Sequence, residues 1–193
     1  MRNSLLAAVL TTATLLPAAA FAQAVTLQPA NPQPKASQLA AGLAVNYAFR
    51  NRGRSLSEAK SALKKSEPGE PIPGLTYEDE PAGSFVLTSG RTELVAADIS
   101  GYVKFDKAGS YVLDFLTNDG LEISIGGQQV GLYDGVHACG YAGEIEVKVP
   151  TAGYYPLKAT YFQRKGTSCL MMEWGPNSDG LEMVTNDVFF HAK

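Results

Sequence analysis

The feature that most constrains this chain is a period of two. From Phe85 onward apolar residues recur at alternate positions in short runs. Such runs are Tyr111, Leu113 and Phe115; Leu121, Ile123 and Ile125; Ile145, Val147 and Val149; Tyr155, Leu157, Ala159 and Tyr161; and Leu170, Met172 and Trp174. Successive side chains of a β-strand point to opposite faces, so this alternation is the mark of half-buried strands. Turn-forming residues stand between the runs, among them Lys107-Ala108-Gly109, Gly126-Gly127, Thr151-Ala152-Gly153 and Asn177-Ser178-Asp179-Gly180. No long helical crossover fits between them. The expected fold is therefore all-β, an antiparallel sandwich or barrel.

One short helix is expected near the N-terminus. Ser55-Leu56-Ser57-Glu58 is a capping-box pattern, and Leu56, Ala59 and Leu63 follow at helical spacing. Glu67-Pro68-Gly69-Glu70-Pro71 cannot continue a helix, so this one ends by Ser66. Before it, Gly42 to Arg50 alternates Leu43, Val45, Tyr47 and Phe49 in the period of a strand.

Residues 1–22 read as an export leader. Arg2 gives the positive start, Leu5 to Leu16 is apolar with small polar interruptions, and Ala20-Phe21-Ala22 places small residues at a cleavage spacing. That apolar part is too short to span about 30 Å of hydrocarbon. Residues 23–41 contain Pro29, Pro32 and Pro34 and read as an extended linker outside the core. Residues 42–193 then make one domain, expected in the periplasm or outside the cell.

Composition removes several functions. A net charge of −3 with no basic run offers no grip on a phosphate backbone. The apolar fraction of 45% excludes wholesale disorder. Two cysteines are too few for a disulfide-dense miniprotein or a four-cysteine zinc module, and His137 and His191 cannot build a three-histidine metal site. In an oxidising compartment Cys139 and Cys169 read as a disulfide; the alternative is two free buried thiols.

Few residues announce chemistry. His137 and His191 read as loop or surface residues, Glu78-Asp79-Glu80 as a solvated loop, and Glu144, Glu146 and Lys148 as a solvent face. No acid/base pair or nucleophile can be assembled, so an enzyme is not expected. The informative segment is Thr117-Asn118-Asp119-Gly120. Read locally, Asp119-Gly120 is a hairpin turn. Read functionally, Asn118 and Asp119 present oxygen ligands to a hard cation such as calcium, with further oxygens needed from elsewhere.

The spaced set Gly101-Tyr102-Val103, Ala108-Gly109-Ser110-Tyr111, Leu116 to Gly120, Ile123 to Gly127, Ala152-Gly153-Tyr154-Tyr155-Pro156-Leu157 and Leu170 to Trp174 resembles the fourteen-kilodalton domain family first named from anthrax protective antigen. The resemblance covers about Gly42 to His191. It implies a β-sandwich or barrel that acts as a carbohydrate-binding module. In the flocculins of this family two adjacent aspartates, joined by a cis peptide, bind sugar through calcium with help from a second loop. The resemblance places Asn118-Asp119 at the paired aspartates and Gln163-Arg164-Lys165-Gly166-Thr167-Ser168 at the second loop. Two departures follow: Asn118 removes one carboxylate, and Arg164 and Lys165 put positive charge where a metal prefers none. Cys139 lies where flocculins carry loop cysteines, so a Cys139–Cys169 bridge would pin that loop beside the second.

Two functions from different classes are therefore expected. One is a glycan-binding module with Asn118, Asp119 and Gln163 around a calcium ion and Tyr133 and Arg164 contacting the sugar. The other is a non-catalytic structural or protein-interaction domain of the cell envelope. Neither involves nucleic acid or a membrane span in the mature chain.

Overall fold

Fifteen strands and one α-helix are found among the residues that the computed structural model describes, 24–49 and 53–193. The expected leader, residues 1–22, lies outside them. In chain order the strands are β1 (Val25–Thr26), β2 (Leu39–Ala41), β3 (Ala44–Ala48), β4 (Glu67–Pro68), β5 (Thr76–Glu80), β6 (Val95–Phe105), β7 (Gly109–Asn118) and β8 (Gly120–Ile125). They continue as β9 (Gln128–Tyr133), β10 (Gly140–Tyr141), β11 (Ile145–Val149), β12 (Gly153–Gln163), β13 (Ser168–Gly175), β14 (Glu182–Met183) and β15 (Phe189–Ala192). The helix α1 (Leu56–Leu63) sits between β3 and β4.

The strands form two facing sheets. The first runs β1-β11-β7-β13-β14, with β10 on β7 and β5 on β13. The second runs β2-β15-β6-β12-β8-β9, with β3 on β6 and β4 on β3. The alternation of the sequence explains the core between them: Leu113 and Phe115 from the first sheet meet Ile99, Val103, Ile123, Tyr155 and Tyr161 from the second, all nearly fully buried. A sheet with one face packed and one wet produces this pattern. The all-β fold with one short helix is thus as expected, and Ser55 does cap the helix, its Oγ accepting from the Glu58 N–H at 3.2 Å.

Two expectations are corrected. Of the linker expected over residues 23–41, the described part, 24–41, does not lie wholly outside the core. Val25 and Thr26 add a parallel strand beside Val147 and Lys148, Leu27 is completely buried, and β2 pairs with β15. Glu78, Asp79 and Glu80, expected as a solvated loop, are exposed as foreseen but belong to β5, where Glu80 is in register with Ser168.

Candidate functional site

Three crossings between the sheets gather at one end of the sandwich. β7, β10 and β13 belong to the first sheet, whereas β8, β9 and β12 belong to the second. The chain therefore changes sheets at Asp119, between Tyr133 and Gly140, and between Gln163 and Ser168. The hairpin reading of Asp119-Gly120 is corrected by this: β7 and β8 are not paired, and Asp119 is the corner between the sheets. Gly120 is required there because a Cβ would lie 2.2 Å from the Phe162 ring. The Asn118–Asp119 peptide is cis, and the Asp119 N–H donates to the Phe162 carbonyl at 2.9 Å.

Asp119 joins the three crossings. Its side chain is 2% exposed. Oδ1 accepts from the His137 N–H at 3.1 Å and Oδ2 from the Arg164 N–H at 2.6 Å. The His137 ring Nε2 also lies 3.1 Å from the Asp119 carbonyl oxygen. Burial raises this carboxyl above its ordinary pKa, while the two amides and the charges of His137 and Arg164 work against the rise. Beside it the Tyr161 hydroxyl donates to the Asn118 carbonyl at 2.5 Å, and burial, then the Asp119 charge, hold that phenol well above its ordinary value.

Asn118 and Gln163 converge on Thr167. Asn118 Nδ2 donates to Thr167 Oγ1 at 2.9 Å and Gln163 Nε2 to the Thr167 carbonyl at 3.2 Å. Both side chains are buried, and Asn118 Oδ1, Gln163 Oε1 and Thr117 Oγ1 have no hydrogen-bond partner among the described residues. The disulfide Cys139–Cys169 ties the second crossing to the start of β13, where Cys169 is in register with Asn118.

The remaining expected residues reach the same end. Tyr133 closes β9, its half-buried ring stacked on the His137 imidazole with centroids 3.6 Å apart. Arg164 lies close against Gly53, where an added Cβ would come within 2.8 Å of the Arg164 Cβ, and its carbonyl accepts from the Leu94 N–H at 3.0 Å. The fold therefore brings Asn118, Asp119, Tyr133, Gln163 and Arg164 to one end. It adds His137, which the sequence reading set aside. No local signal marks that histidine, since its partner is 18 residues away on another crossing.

Calcium takes about six to eight oxygens, carboxylates foremost. At this cluster Asp119 supplies the carboxylate, and each of its oxygens already holds a backbone N–H. Both Thr167 oxygens hold amide N–H donors. The three side-chain oxygens without a partner are neutral, so a single carboxylate is the only negative charge at the cluster, and among the described residues no three His, Cys, Asp or Glu side chains are grouped to hold a metal ion. These residues do not fit calcium.

A two-sheet antiparallel sandwich with a disulfide-pinned cluster of crossing loops is the class of domain that fold and site define. The model of the PA14 domain matches residues 89–187, and the chain belongs to that family. The tie to protective antigen and the flocculins themselves is looser. Among solved structures, the PA14 domain of the MpAFP antifreeze protein is 16% identical, covers 82% of this chain and 93% of its own, and superposes with a TM-score of 0.66. The PA14 sugar-binding domain from an RTX adhesin is also 16% identical, with coverage of 79% and 99% and a TM-score of 0.63. The epithelial adhesin 9 A domain from Candida glabrata, solved in complex with Galβ1-4GlcNAc, is 14% identical, with coverage of 89% and 97% and a TM-score of 0.66. No curated protein matches the chain.

Proposed function

We propose that this PA14 domain is an exported carbohydrate-binding module whose ligand meets the end carrying Asn118, Asp119, Tyr133, Gln163 and Arg164. The observation that carries the reading is the gathering of three sheet crossings around Asp119, locked by Cys139–Cys169. Loops held this firmly present a preorganised surface, and preorganisation lowers the entropy lost on binding. The sugar-binding functions named for the adhesin domains of the same fold support it. Tyr133 supplies a flat ring with a polar hydroxyl, suited to the C–H face of a pyranose. A disulfide belongs to an oxidising compartment, which supports export to the periplasm or beyond. Among the described residues no helix is long and apolar enough to cross a membrane.

Glycan-array screening followed by titration calorimetry tests this with the purified protein. Tyr133→Ala and Arg164→Ala should each weaken binding by about tenfold, the loss of roughly 1.4 kcal/mol, with an unchanged melting curve. One observation favours the envelope interaction domain instead: Asp119 has both oxygens on backbone amides, the arrangement of a structural staple. No heat with any sugar, together with capture of a partner from an envelope fraction, would decide for that second reading.

A further inference from the structure

We infer that this domain recognises its carbohydrate without a divalent cation, its loop cluster being held by side-chain amides and backbone N–H groups instead of a metal. The inference rests on the carbohydrate reading above for its ligand and on donor occupancy for its chemistry. A metal site is joined by lone pairs gathered toward one cation, whereas here N–H groups bond the oxygens of the cluster directly. Asn118 and Gln163 turn their NH₂ groups to the two oxygens of Thr167, and the His137 and Arg164 amides turn theirs to the two oxygens of Asp119. Three of these N–H donors link the crossing at Asp119 to both others, the joining that a cation does by coordination, and the fourth closes the Gln163–Thr167 loop on itself.

Charge agrees with occupancy. Against the single negative charge of Asp119 stands Arg164, whose charge acts on that carboxylate. A dication brought here would meet one carboxylate and the positive charge of Arg164, which opposes binding. The unpartnered oxygens of Asn118, Gln163 and Thr117 add no negative charge to offset this. A buried neutral acceptor needs one hydrogen-bond donor and no charge.

Calcium titration of the purified protein, read by thermal unfolding and by sensitised terbium luminescence, tests the inference independently of any sugar. The titration extends well above the about 1 mM at which the weakest extracellular calcium modules bind. An unchanged melting temperature and no saturable luminescence are expected. Asn118→Asp and Gln163→Glu, each adding a carboxylate, serve as gain-of-binding variants and should show calcium-dependent stabilisation that the parent lacks. A saturable rise in the parent's melting temperature would overturn the inference. Glycan titrations in EDTA and in calcium separate it from the function itself. Equal affinity in both upholds both readings. Binding in calcium alone overturns this inference and leaves the carbohydrate function standing. Absence of glycan heat in either buffer, with a flat calcium titration, upholds the metal-free cluster and removes the carbohydrate function.

Discussion

At the residue scale the molecule relies on two buried aspartates that do opposite things to the reader of a sequence. Asp119 stands in a visibly turn-like tetrapeptide, so its importance was legible, while its partners were not: an amide's hydrogen bond to a distant carboxylate leaves no trace in local spacing. Asp114 gave no signal at all. It lies on the outer side of β7, 4% exposed, with Glu173 directly across in register, and its Oδ1 accepts the N–H groups of Phe115 at 2.7 Å and Gly143 at 3.1 Å. Burial raises its pKa above the ordinary carboxylate value, and the charge of Glu144 adds to that, while the two N–H groups oppose it. A carboxyl whose folded pKa is raised holds a proton in the native state that the unfolded chain has already lost. Its contribution to stability therefore grows as pH falls through the window just above the ordinary carboxylate range, and its cost is complete at neutral pH. Asp114→Asn keeps an oxygen for both amides and removes the charge. Urea unfolding from pH 7 to pH 4 should show a weaker rise in stability toward acid for the variant, Asp119 supplying what remains. An identical slope in both proteins would mean that Asp114 has no raised pKa.

At the element scale the helix shows how far local rules reach. Ser55, Leu56, Ala59 and Leu63 were placed correctly because capping and helical periodicity act within four residues. The box differs in one detail: Glu58 Oε2 accepts from the Arg54 N–H, one residue before the cap, at 3.2 Å. What no local rule could supply is Asp134. Its Oδ1 accepts from the Leu56 N–H at 2.7 Å, so a side chain of the β9–β10 crossing satisfies a free amide of the first helical turn. The helix is thereby attached to the loop that also carries His137 and Cys139. Asp134→Ala should cost about 1 kcal/mol, the usual value of a lost N-terminal cap, measured by urea unfolding. Asp134→Asn should cost less, because an amide oxygen still accepts from Leu56.

At the scale of the whole molecule the sandwich depends on a segment that composition disguises. Three prolines between residues 29 and 34 gave residues 23–41 the look of a linker, yet the described chain there, from residue 24, joins the first sheet as β1 and the second as β2. The Leu27 N–H donates to the Lys148 carbonyl at 2.9 Å and the Gln28 N–H to the Gly126 carbonyl at 3.0 Å. Leu27 fills the core beneath them. Leu27→Ala should cost about 2–5 kcal/mol, the range for deleting a buried leucine side chain, read from chemical denaturation; an unchanged midpoint would restore the linker description. Strand pairing across some 120 residues cannot be seen in a run only two residues long, which is why the segment was misread.

The boundary between what the sequence determined and what the tertiary structure decided follows the range of the forces involved. Period-two alternation, turn residues and one capping box act within a few residues, so the all-β class, the helix and the positions of most strands were set by sequence alone. The family resemblance also pointed to Asn118, Asp119 and Gln163, which the fold brings to one end of the sandwich. Whether Asp119 turns a hairpin or bridges two sheets, and whether Asn118 and Gln163 offer oxygens or N–H groups to their neighbours, depended on contacts between crossings far apart in the chain. Only the folded arrangement decided those, because hydrogen bonds of that kind are specified by where the two sheets bring the loops, not by the residues next to them in sequence.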